Sequence, residues 1–200
     1  MLLPSLEMLL SLAAYAFVMT ITPGPNNVLL LASGLAFGLR RTGWHLAGVL
    51  AGTWLMICLV GAGLGTLFIA VPTAQTVLKL AGSAYMLWLA RQLWNADALP
   101  TANAQRPIRF FEAAVFQIVN PKVWMMATTV IAAFVPAGDQ YAQRVVTAAL
   151  LFIAVAVPCI TLWAASGSLI RSWIHNSATL RRINRVMALL AAATVVLFWS

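Results

Sequence analysis

Long apolar stretches separated by short polar ones dominate the pattern of residues along the chain. A straight helix needs about 20 residues to cross a hydrocarbon core of about 30 Å, and six of these stretches come near or above that length. The pattern therefore predicts an all-α transmembrane protein, a six-span helical bundle. The predicted segments are Leu6–Leu39, Trp44–Val71, Thr73–Trp94, Phe111–Val135, Val145–Leu169 and Ile183–Trp199.

The composition agrees with this class of protein. Hydrophobic residues make up 62% of the 200 residues and charged residues 8%, outside the range of an ordinary soluble domain, and the length fits one domain over 1–200. The net charge of +8 does not indicate nucleic-acid binding, because the arginines lie in short loops without a contiguous basic face. The N-terminus lacks the basic start of a signal peptide, so the first segment is expected to stay as an anchor.

Helix breakers interrupt the first segment. Pro23 and Pro25 lack amide donors, and Gly24 between them permits unusual backbone angles, so nearby carbonyls lose their helical partners. Freed backbone groups are tolerated at membrane depth only where they pack against protein or line a wet cavity. The Pro-Gly-Pro break is therefore a candidate binding site.

A second interruption lies in the fourth segment, where Pro121 stands between Asn120 and Lys122. The polar loop Asn95–Arg109 divides the chain into two units of three spans, and an odd number of spans inverts the second unit relative to the first. Interrupted helices at matching positions of inverted repeats predict a transport site near the bilayer midplane. The predicted units are repeat one at about 1–95, a cytoplasmic loop at about 95–110 and repeat two at about 111–200.

Basic residues gather in alternate loops, the first of which is the predicted turn Arg40–Gly43. With six spans, the opposite side carries only Arg144 and Lys79, so the positive-inside rule predicts that the arginine-rich side is cytoplasmic and both termini are periplasmic. The alternative is a re-entrant first segment, which would put the N-terminus on the other side. The arginines on the cytoplasmic side are Arg40, Arg41, Arg91, Arg106, Arg109, Arg171, Arg181, Arg182 and Arg185.

Polar side chains in the fourth segment could bind a substrate. Lys122 lies part of the way along the span, where a lysine costs at least about 2.5 kcal/mol, so it is expected to face the protein interior and attract a carboxylate. Gln117 and Asn120, three residues apart, are expected to line the same cavity on one helical face. The alternative is that Lys122 only extends to the nearer membrane interface.

Asn26 and Asn27 open the second half of the broken first helix. A helix N-terminus presents free amide hydrogens and a partial positive charge, which favours binding of a carboxylate. The alternative is that both asparagines are only capping residues. The two interpretations are compatible.

The third segment presents Lys79, Gly82 and Tyr85 along one side. They are weaker site candidates, because Lys79 could reach the interface and Tyr85 could lie in it. Small-residue pairs also permit close helix packing, either within the chain or in a homodimer. The pairs are Gly34 with Gly38, Gly48 with Gly52 and Gly61 with Gly65.

Several classes of site find no support in the sequence. The four acidic residues fall at segment ends or in loops, and His45 and His175 are isolated at loop edges without metal ligands at suitable spacing. Catalytic constellations and phosphate loops are missing, so neither an enzyme nor a bound cofactor or metal is expected. Cys58 and Cys159 lie in corresponding spans of the two halves, which leaves a membrane thiol-disulfide electron carrier as the alternative function.

The order of these motifs resembles the LysE/RhtB family of amino-acid exporters. The resemblance implies a bacterial inner-membrane secondary transporter that exports amino acids or derivatives, driven by the proton motive force. The doubled Asn26-Asn27 and the run Phe116–Asn120 are most similar to the cysteine/O-acetylserine branch, with a homoserine/threonine substrate as the other small neutral type. The matching motifs are Thr22–Asn26, the glycines Gly34, Gly38, Gly43, Gly48 and Gly52, Leu78–Tyr85, and Asn120–Lys122.

One position departs from the family pattern. Many members carry an aspartate just after the glycine equivalent to Gly52, whereas this chain has Thr53. Loss of that carboxylate argues against a cationic substrate such as lysine. It also leaves the proton-coupling residue unassigned.

Overall fold

The computed structural model describes residues 5–95, 106–173 and 177–199, and every regular element within them is helical. This confirms the predicted all-α class. The elements are α1 (Leu6–Ile21), α2 (Pro25–Phe37), α3 (Leu39–Leu59), a π-helical turn (Val60–Leu64), α4 (Gly65–Ala70), α5 (Pro72–Trp94), α6 (Phe110–Val119), α7 (Pro121–Phe134), α8 (Tyr141–Trp173) and α9 (Ser177–Trp199).

Two of the described helices are long and apolar enough to cross a membrane by themselves, Leu39–Leu64 and Tyr141–Arg171. The pair α1 and α2 meets the same requirement together, bent by 56° at the break between them. Helices α6 and α7 are apolar but shorter. These observations fit a helical membrane protein, and the full count of six spans stays a prediction.

The central helices α3 and α8 pack against each other, and each also packs against both halves of a broken helix. Helix α8 contacts α1 and α2, α3 contacts α6 and α7, and the outer helices α5 and α9 pair with each other. Glycines permit the closest approaches: an added Cβ on Gly34 would overlap the carbonyl oxygen of Ala164, and one on Gly167 would overlap that of Leu31.

The second predicted glycine pair lies at an interface between helices of this chain. A Cβ on Gly48 would overlap the carbonyl oxygen of Phe110, and one on Gly52 would lie 2.6 Å from that of Ala114. The pair therefore brings α3 close to α6 within one molecule.

Two local predictions are wrong. Arg40–Gly43 is not a turn but the first turn of α3, because Gly38 adopts a φ of 80° and reverses the chain in one residue. Gly61 and Gly65 do not form one packing face. Gly61 contacts Val145, whereas Gly65 packs against Val60 of its own segment, since a kink at Gly63 with φ 112° lies between them.

The predicted polar loop is only partly described. Residues 96–105 lie outside the described ranges, as does His175. Near the end of this loop, Arg106 forms an ion pair of 2.7 Å with Glu112 on the first turn of α6. The same carboxylate accepts a hydrogen bond of 2.9 Å from the backbone amide of Arg109, which fixes the entry into α6.

Candidate functional site

The Pro-Gly-Pro break separates α1 from α2 at Gly24, whose backbone is extended (φ −174°). Any residue adopts that conformation, so the glycine is not required for its backbone angles. It leaves room for a side chain from the second break: a Cβ on Gly24 would lie 2.9 Å from Cδ and 3.0 Å from Nζ of Lys122. The first break thus contacts the lysine of the second.

The Lys122 ammonium binds the carbonyl end of α1. Its Nζ donates to the carbonyl oxygens of Thr22 and Pro23 and to the Thr22 hydroxyl, each at 3.1 Å. The carbonyl end of a helix carries a partial negative charge, which favours a cation there. Lys122 therefore faces the protein interior and holds the two breaks together.

Two further side chains satisfy the carbonyls released by the break. Asn27 donates its Nδ2 to the carbonyl oxygens of Thr20 at 2.9 Å and Thr22 at 2.7 Å. The Trp163 indole of α8 donates to the carbonyl oxygen of Ile21 at 3.1 Å. The carbonyls of residues 20–23 all have side-chain donors, as apolar surroundings require.

The amide end of α2 is less completely satisfied. Gly24 supplies no capping side chain, and the backbone amides of Asn26 and Asn27 lie in the first turn, where no intrahelical acceptor exists. The Asn26 side chain forms a reciprocal amide pair with Gln117 of α6, with distances of 2.8 Å and 3.3 Å. Gln117 is fully buried. This helix end can therefore bind an anion through its backbone amides.

The second break is arranged differently. Helix α6 ends at Val119, and Asn120 has an extended backbone (φ −91°, ψ 106°). Its side-chain oxygen accepts from the Lys122 backbone amide at 3.1 Å and so caps α7. The predicted common face of Gln117 and Asn120 is thus wrong, because the helix ends between them. On the other side of the break, the Trp124 indole donates to the carbonyl oxygen of Ile118 at 2.7 Å.

Both breaks line one cavity of about 430 Å³, its mouth included. Helices α1, α2, α3, α7 and α8 all contribute to its wall. The lining residues are Met19, Thr20, Gly24, Pro25, Asn26, Asn27, Val49, Leu50, Thr53, Asn120, Lys122, Met126, Phe152, Ala156 and Ile160.

Most of the predicted site residues lie at or beside this cavity. Gln117, which was expected to line it, is not among the lining residues and reaches it through its amide pair with Asn26. Thr53 lines it and is buried, and its hydroxyl makes no hydrogen bond to any part of the chain that the structure describes. The Pro121 ring packs on Gly82 of α5. A Cβ added to Gly82 would lie 2.5 Å from the Pro121 Cγ. Pro23 contributes its carbonyl to Lys122.

The weaker candidates on the third segment lie elsewhere. The Lys79 ammonium lies 5.7 Å from the ring centroid of Trp199. The ring centroids of Tyr85 and Phe116 lie 5.3 Å apart, and the two rings are tilted by 53°. Neither lines the cavity. Cys58 and Cys159 are both free thiols, and they also lie outside the cavity wall.

Sequence reasoning missed Thr22 and Trp163. Thr22 Oγ1 accepts from Lys122 and donates to the Val18 carbonyl at 2.8 Å, which is the normal behaviour of a threonine near a helix end. A signal for Trp163 was present: a tryptophan in the middle of an apolar segment needs an acceptor for its indole N–H. The sequence does not show which carbonyl that acceptor is.

This fold and cavity define a helical membrane protein organised around two interrupted helices that meet. The family model described as LysE type translocator matches residues 17–199. Cysteine/O-acetylserine efflux proteins of Escherichia coli (strain K12) and Shigella sonnei (strain Ss046) are each 31% identical to this chain over 177 residues, covering 88% of it and 89% of the relative. No solved structure matches. The chain belongs to the LysE type translocator family, as the sequence resemblance predicted.

Proposed function

We propose that this protein is a secondary exporter of small neutral amino acids or their derivatives, of the cysteine/O-acetylserine type, driven by the proton motive force across a bacterial inner membrane. The efflux proteins to which the chain is similar carry this substrate pair in their names. The homoserine/threonine type is the second candidate, because it has the same zwitterionic core and similar size.

One observation carries the proposal: both helix breaks line the same cavity, and the Lys122 ammonium lies between them. The substrate carboxylate would accept from the backbone amides of Asn26 and Asn27, where the helix end is uncapped. The positive charge of Lys122 lies beside that position. The Asn26 side chain, held by Gln117, would orient the same carboxylate.

The substrate ammonium requires hydrogen-bond acceptors elsewhere on the cavity wall. The hydroxyl of Thr53 and the side-chain oxygen of Asn120 would fill this role, since both residues line the cavity. Among the described residues that form the wall, none is acidic. The site therefore suits one positive charge on the substrate better than two, which favours neutral amino acids over lysine.

The packing of the helices supports two inverted three-helix repeats. Helix α8 contacts α1 and α2, and α3 contacts α6 and α7 in the corresponding way. When α1, α2 and α3 are exchanged with α6, α7 and α8, the first set of contacts becomes the second. The pair of α5 and α9 is exchanged with itself. Rocking of one repeat against the other would expose the cavity to each side in turn.

Contacts between basic segments support the proposed orientation. Arg171 at the end of α8 donates to the carbonyl oxygen of Ala36 at 2.9 Å, close to Arg40 and Arg41 in sequence. The Arg185 guanidinium lies 5.4 Å from the ring centroid of Trp94. Arginine-rich ends of several helices thus meet, as a common cytoplasmic side requires.

Efflux from loaded cells tests the proposal. Cells expressing the protein would be loaded with labelled O-acetylserine, cysteine, threonine or lysine, and efflux compared with vector controls with and without an uncoupler. We expect uncoupler-sensitive efflux of small neutral substrates and none of lysine. Efflux equal to the vector control for every neutral substrate, or a preference for lysine, would contradict the proposal.

A further inference from the structure

His45 is a buried titratable residue that the binding site does not use. It lies in the second turn of α3, where only 1% of its surface is exposed. Its Nδ1 is buried and has no hydrogen-bond partner within the described ranges. An unpartnered ring nitrogen in such a position is costly, so it calls for an explanation beyond packing.

The same side of α3 lines the substrate cavity. His45, Val49 and Thr53 follow one another at intervals of four residues, which places them along one helical stripe. Val49 and Thr53 are cavity wall residues. With a rise of about 1.5 Å per residue, His45 lies about 6 Å along the helix from Val49 and about 12 Å from Thr53.

Polar groups continue from His45 toward the start of α3. Thr42, one turn earlier, is fully buried and shares a hydrogen bond of 3.0 Å with the hydroxyl of Ser33. Thr42 also donates to the Gly38 carbonyl oxygen at 2.9 Å. The stripe therefore carries buried polar groups from the arginine-rich end of α3 as far as His45, and Val49 separates His45 from Thr53 at the cavity.

The other ionisable groups near α3 are engaged elsewhere, are exposed or are free cysteines. Helix α2, which packs on α3, contains no ionisable residue. Those of α3 itself and of the other helices packed on it are Arg40, Arg41 and Cys58 of α3, Glu112 of α6, Lys122 of α7, and Tyr141, Arg144, Cys159 and Arg171 of α8. Glu112 pairs with Arg106, Lys122 binds the end of α1, Arg41 lies over Phe37, and Tyr141, Arg144 and Arg171 donate to backbone carbonyls. Arg40 is exposed.

We propose that His45 binds and releases the proton that drives export, an inference that rests on the proposed proton-coupled function. The neutral imidazole takes up one proton at its unprotonated ring nitrogen and becomes an imidazolium. The proton leaves the same nitrogen when the opposite side opens. A neutral imidazole suits this role because one ring nitrogen already carries a proton and the other can bind and release a second one. Among the described wall residues the ionisable one is Lys122, whose ammonium is held by the end of α1. The proton is therefore assigned to His45, which lies one helical turn before the wall residue Val49.

Reconstituted vesicles separate this inference from the proposed function. Two rates would be measured with labelled O-acetylserine: exchange with equal substrate on both sides, and uphill movement driven by an imposed pH gradient. For His45→Gln we expect exchange within about twofold of wild type and a loss of gradient-driven movement of about 10-fold or more, in the range of ordinary coupling factors. His175→Gln, the same change at the other histidine, is the matched control and should leave both rates unchanged.

The outcomes are distinct. Absence of exchange in the wild-type protein for all small neutral amino acids would contradict the proposed function. Normal exchange with undiminished gradient-driven movement in His45→Gln would overturn the role of His45 and leave the exporter function standing. Substrate-induced acidification, recorded with a trapped pH dye, should disappear in parallel with the gradient-driven movement.

A measurement without substitution at His45 covers the case in which the variant fails to fold. In the His175→Gln background, the chain contains a single histidine. With ¹⁵N-histidine labelling in bilayers, we expect the ring resonances to change from neutral to imidazolium type as the pH is lowered, with a midpoint that moves when substrate is added. Resonances that stay neutral until the protein unfolds would overturn the proposal.

Discussion

The two helix breaks meet at one cavity but are completed in opposite ways. At the first, the carbonyl end of α1 is satisfied by Asn27 of α2 and by two donors from other segments, Lys122 and Trp163. The amide end of α2 follows a glycine without a side chain. At the second, Asn120 caps the amide end of α7 from within the break. Helix α2 therefore has vacant amides at the cavity and α7 has a capped end.

The two breaks therefore have different roles, although each contains proline and asparagine. A capped helix end is a fixed structural element, whereas an uncapped end in the membrane needs an external acceptor, such as water or a substrate carboxylate. We therefore place carboxylate binding at the first break. The second break supplies the lysine that holds the two together.

Replacing Lys122 should have the largest effect. Lys122→Ala removes three hydrogen bonds to the end of α1, and because hydrogen bonds of charged groups contribute about 1.5–3 kcal/mol each, we expect export to fall about 100-fold or more. Export would be measured as labelled efflux, normalised to protein in the membrane. Lys79→Ala, which removes a lysine far from the cavity, is the control. Undiminished efflux by Lys122→Ala would refute the role of this lysine.

Adding one methyl group at the first break should have an intermediate effect. The new Cβ of Gly24→Ala would lie 2.9 Å from Cδ and 3.0 Å from Nζ of Lys122, so the lysine side chain must shift and its hydrogen bonds to the carbonyls should weaken. We expect substrate binding to weaken about 10-fold, equivalent to losing about one charged hydrogen bond. Gly43→Ala is the matched control, because its Cβ meets nothing within 4 Å. If titration with substrate gives equal affinities for the two variants, the position of Lys122 does not depend on a glycine at position 24.

Removing the cap of the second break should have the smallest effect on binding. Asn120→Ala deletes the cap of α7, which should lower the free energy of unfolding by about 1 kcal/mol. Substrate affinity should fall only a few-fold, because the Thr53 hydroxyl remains as a second acceptor for the substrate ammonium. Thermal unfolding and binding would be measured on the same preparation, with Asn95→Ala as a control in the polar loop. A loss of affinity as large as that of Gly24→Ala would remove the distinction between the breaks.

The helices and both breaks could be predicted from the sequence because apolar runs, prolines and polar residues within apolar segments determine the backbone close to them. It could not predict the acceptors of the Lys122 ammonium, since Thr22 and Pro23 are about a hundred positions away along the chain. The turn at Gly38 was missed because its neighbours Arg40 and Arg41 suggested a loop. The burial of His45 depends on packing by other helices and has no signal in its own segment.

The most direct test locates the substrate carboxylate at the first break. The chain contains one Pro-Asn pair, Pro25-Asn26, so labelling proline carbonyls with ¹³C and asparagine with ¹⁵N selects the Asn26 backbone amide in solid-state NMR. With ¹³C-carboxyl O-acetylserine bound, we predict a dipolar coupling that corresponds to a separation of about 4 Å or less, as expected for an amide donating to a carboxylate at about 2.9 Å. A saturated protein without that coupling would contradict the account.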